Sequence, residues 1–213
     1  MRIAIIGTGV VGRTLAGALQ RLGHDVVVGT RNPTETAGRE EWAAAHVPLR
    51  ALGMAAAGAD LVVNATNGLA SVAALGQVGS EHLAGKVLLD VANPLDFSQG
   101  FPPTLGVKDT DSLAEQIQRA FPEARVVKAL NTVTASVMVN PAALGDGDTT
   151  IFAAGDDPEA LQTVVGVLRE LGWQDIVELD GLHNARGLEM WMGLWVRLMG
   201  ALGKPDFNVK LVR

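Results

Sequence analysis

Six residues near the start of the chain, Gly7-Thr8-Gly9-Val10-Val11-Gly12, stand between an apolar run (Arg2 to Ile6) and a stretch with Leu15, Ala16, Leu19 and Leu22 at helical spacing. A second apolar run, Asp25 to Gly29, follows at the distance of a strand-helix-strand unit. Three glycines at the turn from strand to helix have separate physical tasks. Gly7 permits the tight turn, Gly9 lets the backbone approach a pyrophosphate, and Gly12 lets the helix lie close to the strand. The unpaired amides at the helix start then face the phosphates, so Gly7, Thr8, Gly9, Val10, Val11 and Gly12 form a candidate dinucleotide cradle. Alone the pattern is weak in a chain with 25 glycines; its place in the strand-helix-strand unit gives it weight. A ligand-free glycine-rich turn and a methyltransferase-like nucleotide site are the competing readings.

The end of the second strand discriminates between dinucleotides. An NAD site usually carries an acidic residue there for the ribose hydroxyls, whereas this chain reads Gly29-Thr30-Arg31-Asn32-Pro33. Arg31 offers a planar, permanently charged fork suited to a phosphate dianion, and Thr30 and Asn32 add short polar groups beside it. The expectation is NADP(H). The alternative is a solvated loop cation followed by an Asn-Pro turn.

Missing residue types narrow the chemistry further. The 213 residues include no Cys and no Tyr, which removes thiolate nucleophiles, zinc-thiolate sites and the tyrosine-dependent proton transfer of short-chain dehydrogenases. His24, His46, His82 and His183 lie far apart without metal-ligand spacing, so no metal is expected. A net charge of −6 without a basic cluster argues against a nucleic-acid partner. With no signal-peptide core and no apolar stretch free of charges, neither export nor a membrane span is indicated. The expected setting is cytoplasmic, and the expected partners are a small-molecule electron acceptor and a second copy of the chain.

Along the rest of the chain, residues 34 to 45 read as a helix, 59 to 64 as a buried strand ending in Asn64-Ala65-Thr66-Asn67-Gly68, and 86 to 94 as a strand ending in Val91-Ala92-Asn93-Pro94. Residues 125 to 132 give another strand, ending near Asn131. In an open parallel sheet, ligands lie beyond the carboxyl ends of the strands, so Asn64, Ala65, Thr66, Val91, Ala92, Asn93 and Asn131 are candidates for the second half of a dinucleotide site; plain turn chemistry is the other reading. The proline- and glycine-bearing stretch from Leu95 to Val107 reads as a loop over the same edge. Residues 149 to 154, 158 to 171 and 173 to 179 read as strand, helix and strand. A long helix follows from 182 to 202, apolar nearly all round, with Trp191 and Trp195 four residues apart. That helix suits a core with a dimer contact, or stacking on a substrate ring. Within it, Arg186 and Glu189 are spaced to pair. The fold class is thus α/β: a Rossmann-type, doubly wound, mostly parallel sheet in an NADP-binding domain (1–132), with a smaller C-terminal α/β lobe (133–213) ending in the long apolar helix.

Several of these segments together, GTGVVG with VVVGTRNP, then KVLLDVANPL, VVKALNT and GLHNARGLE, resemble the NADP-dependent reductases of the deazaflavin coenzyme F-420. They are also similar to the NADPH-oxidoreductase domain of the six-transmembrane metalloreductases, whose acceptor is a flavin. The resemblance spans about residues 2 to 200. It implies hydride transfer between NADP(H) and a flavin or deazaflavin, with the cofactors carrying the chemistry and no side chain assigned a catalytic role. It also implies that Gly7 to Gly12 hold the pyrophosphate, Thr30-Arg31-Asn32 the 2′-phosphate, and the three later strand ends the nicotinamide half. The chain departs from the pattern at Pro33-Thr34-Glu35-Thr36, where further basic residues are usual, and at the polar NATNG strand end. Two other readings of the same residues are an imine or pyrroline reductase and a non-catalytic NADP(H)-binding sensor.

Overall fold

The computed structural model describes residues 1–43 and 45–213. Eight strands form one sheet: β1 (Arg2–Ile6), β2 (Asp25–Thr30), β3 (Leu49–Ala51), β4 (Leu61–Asn64), β5 (Val87–Asp90), β8 (Arg125–Ala129), β9 (Thr150–Gly155) and β10 (Asp175–Asp180). Between β5 and β8, the short β6 (Leu95–Asp96) and β7 (Thr104–Leu105) form an antiparallel pair of their own. The spatial order is β10-β9-β8-β5-β4-β1-β2-β3, and every pairing is parallel except β8 with β9. β1 therefore has β2 on one side and β4 on the other, and the order reverses there. In a doubly wound sheet that reversal opens a crevice at the carboxyl ends of the strands.

The apolar runs are explained by burial on both faces of the sheet. Ile3, Ile5, Val87 and Leu89 join one core layer with α1 (Val10–Arg21) and α9 (Pro158–Glu170). Ala4, Ile6 and Leu88 join the opposite layer with α4 (Leu52–Ala57), α5 (Ser71–Gly76), α6 (Ser80–Leu83) and α7 (Leu113–Ala120). Ser112 and Asp157 cap α7 and α9, each accepting a hydrogen bond from the backbone amide three residues on. The C-terminal strands extend the same sheet: β9 runs antiparallel to β8, and β10 lies outside it as an edge.

Three local readings change. The helix expected over 34–45 is two short ones, α2 (Pro33–Ala37) and α3 (Glu40–Ala43), because Asn32 caps the first and Gly38 ends it; residue 44 lies outside the described residues. Trp173 precedes the last strand instead of starting it, buried with its indole N–H on the Met138 carbonyl at 3.0 Å. α8 (Ala135–Met138) lies between β8 and β9, and the long helix α10 (Ala185–Leu202) comes after β10; the chain itself covers a single stripe of it: Ala185, Leu188, Glu189, Met192, Trp195 and Val196. Met190, Leu194 and Leu202 remain exposed.

Candidate functional site

The glycine turn has the geometry its sequence requires. Gly7 has φ +130°, and a Cβ there would lie 2.3 Å from the Ala65 carbonyl oxygen. At Gly12 a Cβ would meet the Gly7 carbonyl oxygen at 2.2 Å, so this glycine packs helix against strand and does not line the cleft. Gly9 differs: nothing lies within 4 Å of its missing Cβ, and the backbone there faces open space. It caps α1 without a side chain, and the first turn carries no acidic residue, which leaves the amides of that turn as donors for an anion. From α3, buried Trp42 donates its indole N–H to the Thr8 carbonyl at 3.2 Å and holds the turn from behind. These donors and this open backbone fit a dinucleotide pyrophosphate.

A cleft of about 840 Å³ runs from the turn to the end of β2. Thr8, Gly9, Thr30, Arg31, Asn32, Ala65 and Thr66 all line it. Thr30 and Asn32 are partly committed to local structure: the hydroxyls of Thr30 and Thr36 share a 2.8 Å hydrogen bond, and Asn32 Oδ1 accepts from the Glu35 amide. Arg31 is exposed and has no ion pair among the described residues. The sequence reading overlooked a second guanidinium in the same cleft. Arg39, between α2 and α3, lines it together with Glu35, and the two pair at 2.7 Å, four residues apart. The i, i+4 spacing of Glu35 and Arg39 was the available signal.

A second cleft, of about 380 Å³, continues from the first and shares Ala65, Thr66 and Asn67 with it. Val10, Val11, Val91, Ala92, Asn93 and Asn131 meet here. The far wall comes from Leu95 and Phe97, from Met138 on α8, and from Met192 and Trp195 on α10. None of its described lining residues is charged. Asn93 and Asn131 lock each other: Asn93 Nδ2 donates to the Asn131 carbonyl at 2.8 Å, and Asn131 Nδ2 to Asn93 Oδ1 at 2.9 Å. Asn131 Nδ2 also donates to the Leu188 carbonyl of α10. The Asn131 Oδ1 and Trp195 Nε1 atoms are buried without a hydrogen-bond partner among the described residues. Phe207 stacks on Trp195 at 5.3 Å from the chain's last segment, which is pinned to β9 through Thr150 and to Asp175 through Lys210 and Arg213.

Asn64 does not line either cleft. It is fully buried, and its Nδ2 donates to Asp90 Oδ1 at 2.8 Å and to Ser71 Oγ at 3.0 Å. Its Oδ1 accepts from the Thr66 hydroxyl at 2.7 Å, so it orders the turn that does line the cleft. Asp90 leads to a buried ion group. Lys128 Nζ lies 2.8 Å from both Asp90 Oδ2 and Glu189 Oε1, and it donates to the Ala92 carbonyl. Burial pushes the Glu189 carboxyl up, against the pull of Lys128. Burial also opposes the charge on Lys128, but Asp90 and Glu189 outweigh it and hold the ammonium above its ordinary pKa. The expected Arg186–Glu189 pair is absent. Arg186 instead clamps Glu115 at 2.8 and 2.6 Å, because Glu189 turns inward to Lys128 and to the buried Leu113 and Ala114 amides at the start of α7.

A glycine turn at the switch point of a doubly wound sheet, with a guanidinium at the end of the second strand, defines a class: the NADP-dependent oxidoreductases of Rossmann type. The profile of the family described as "NADP oxidoreductase coenzyme F420-dependent" matches residues 2–94. A crystal structure from Arthrobacter sp. FB24, provisionally assigned as an F420-dependent NADP-reductase, is 53% identical over the full length of both chains, with a TM-score of 0.97. The chain belongs to this family and is an NADP-dependent oxidoreductase. It is also similar to the metalloreductase STEAP3 of Rattus norvegicus, 31% identical over 88% of this chain and 36% of that protein. The chain thus spans about a third of the length of the curated relatives it matches. A reductive aminase from Aspergillus terreus shares the fold, with a TM-score of 0.65 at 20% identity over 95% of this chain and 62% of that one. No helix among the described residues is long and apolar enough to cross a membrane.

Proposed function

We propose that the protein transfers a hydride between NADP(H) in the first cleft and a flavin or deazaflavin acceptor in the second. The observation that carries this reading is the continuity of the two clefts at Ala65-Thr66-Asn67, with the far end uncharged and walled by Phe97, Met192 and Trp195. NADPH supplies the hydride when bound. The chain supplies the rest: the first turn of α1 holds the pyrophosphate, Arg31 and Arg39 meet the 2′-phosphate, and the Asn93–Asn131 lock fixes the wall behind the nicotinamide. Apolar side chains around the far end exclude water and align a flat ring, and alignment is the main requirement for direct transfer between two rings. The setting we propose is cytoplasmic, as a homodimer through the α10 face that bears Met190 and Leu194.

Anaerobic mixing with NADPH, followed by absorbance with the deazaflavin, FMN or a panel of cyclic imines, tests the acceptor. Oxidation with a flavin-type ring is expected, and Trp195→Ala raises the acceptor KM at least tenfold while the NADPH Kd stays within about twofold. Turnover with imines alone would assign the second cleft to a different substrate, and tight NADPH binding without any turnover would mark a sensor.

A further inference from the structure

Behind the wall made by Val91, Ala92 and Asn93 lies the Asp90–Lys128–Glu189 group, which the proposed hydride transfer leaves without a task. Its charge follows from what faces each carboxylate. Asp90 accepts from Asn64 Nδ2, the Ala92 amide and Lys128 Nζ, at 2.8, 3.2 and 2.8 Å. Glu189 accepts from the Leu113 and Ala114 amides, at 2.7 and 3.1 Å, and from Lys128 at 2.8 Å. Every neighbour is a donor, so a proton on either carboxyl would point at another hydrogen. The group therefore holds two negative charges and one positive, with none of the three side chains more than 1% exposed. The start of α7, worth about half a positive charge, offsets part of the excess. Buried ion groups seldom repay their desolvation as stability alone, which calls for a second role. The Ala92 backbone supplies the link: its N–H rests on Asp90 and its carbonyl on Lys128, so the ion group, with its net charge of one negative, is joined directly to the cleft wall.

We propose that this group biases the site toward the oxidised form of its cofactor, an inference that rests on placing the nicotinamide against the Ala92–Asn93 wall. Loss of a hydride, two electrons and one proton, turns the neutral reduced ring into a cation, and the flavin or deazaflavin acceptor takes up that hydride. A fixed negative charge behind the wall attracts the cation and leaves the neutral ring unaffected. The 2′-phosphate and pyrophosphate contacts are common to both forms and cancel in the comparison. At an effective dielectric near 20, a unit charge roughly 10 Å away shifts such an equilibrium by about tenfold. Bound NADPH is thereby a stronger hydride donor than free NADPH.

The test measures the Kd of NADP⁺ and of NADPH separately, by titration calorimetry, for the wild type, Glu189→Gln and Asp90→Asn. Each variant removes one negative charge, and the ratio Kd(NADP⁺)/Kd(NADPH) is expected to rise about three- to tenfold. A merely structural role moves both constants together, and an unchanged ratio in a folded variant overturns the inference. The wild type carries a test of its own should either variant fail to fold: the ratio stays flat from about 0.05 to 0.5 M salt, because buried charge is poorly screened. A ratio that collapses with salt overturns the inference as well. A wild-type protein that binds neither nucleotide would instead refute the cleft assignment on which the inference rests.

Discussion

Replacing Arg31 with alanine separates an NADP site from a general dinucleotide site. Arg31 stands exposed at the cleft rim without an ion pair among the described residues, so no existing contact must break before it meets a ligand. A charge-assisted hydrogen bond from a guanidinium to a phosphate is worth about 1.5–3 kcal/mol, and solvent at the rim favours the lower part of that range. A loss of about 2 kcal/mol raises the NADPH Kd about 30-fold. NADH has a hydroxyl in place of the phosphate, so its Kd changes by no more than about twofold. Arg39 behaves differently, because Glu35 already holds it at 2.7 Å. Glu35→Gln frees that guanidinium and removes a negative charge from the cleft, which tightens NADPH about threefold at low salt. Calorimetric titrations of both nucleotides, at about 0.05 and 0.3 M salt, read all of these effects, and the NADPH preference narrows at the higher salt. Equal losses of NADPH and NADH in Arg31→Ala would refute the assignment of Arg31 to the 2′-phosphate.

Two further substitutions probe the turn and the tail. Gly9→Ala places its Cβ in open space, so melting is expected within about 2 °C of wild type while nucleotide binding weakens at least tenfold; Gly12→Ala, whose Cβ meets the Gly7 carbonyl, lowers the melting temperature instead. The same loss of stability in both would remove Gly9 from the binding surface. Asp175 is held down to about 2 by the Thr150 hydroxyl, helped by Lys210 and Arg213. Its folded pKa lies below the ordinary 3.8, so the stability it contributes is present above about pH 4 and is lost as pH falls through about 2. Asp175→Asn therefore costs about 1–2 kcal/mol at neutral pH and only a small fraction of that near pH 2, as read by denaturant melts at both pH values; a gap that persists undiminished in acid would place the effect elsewhere.

What could be read in advance was what depends on local order. The turn at Gly7 to Gly12 and the buried strands declare themselves through neighbours in sequence, because steric needs and burial on both faces act residue by residue. Pairings between distant segments stay hidden. Glu189 reads as a partner for Arg186 three residues away, yet it reaches 61 positions back to Lys128 and caps a helix on a third segment. Asn64 reads as a cleft residue because it ends a strand, and only the packing of Asp90 and Ser71 around it shows that it supports the turn from below. Arg39 is legible only in part: its spacing from Glu35 marks a pair, but a helix read over 34–45 carries no break at Gly38, and that break is what the pair's place in the Arg31 cleft depends on.

One of the sheet's two outer strands, β10, bears on how copies of this chain can meet. Its six residues include Asp175, Glu178 and Asp180, and the tail's Lys210 and Arg213 close over the first of these. An open strand edge is a template for another chain, and acidic side chains along it set like charges against one another when two identical edges approach. The border is guarded against its own kind. Fibre-like growth by strand addition is discouraged there.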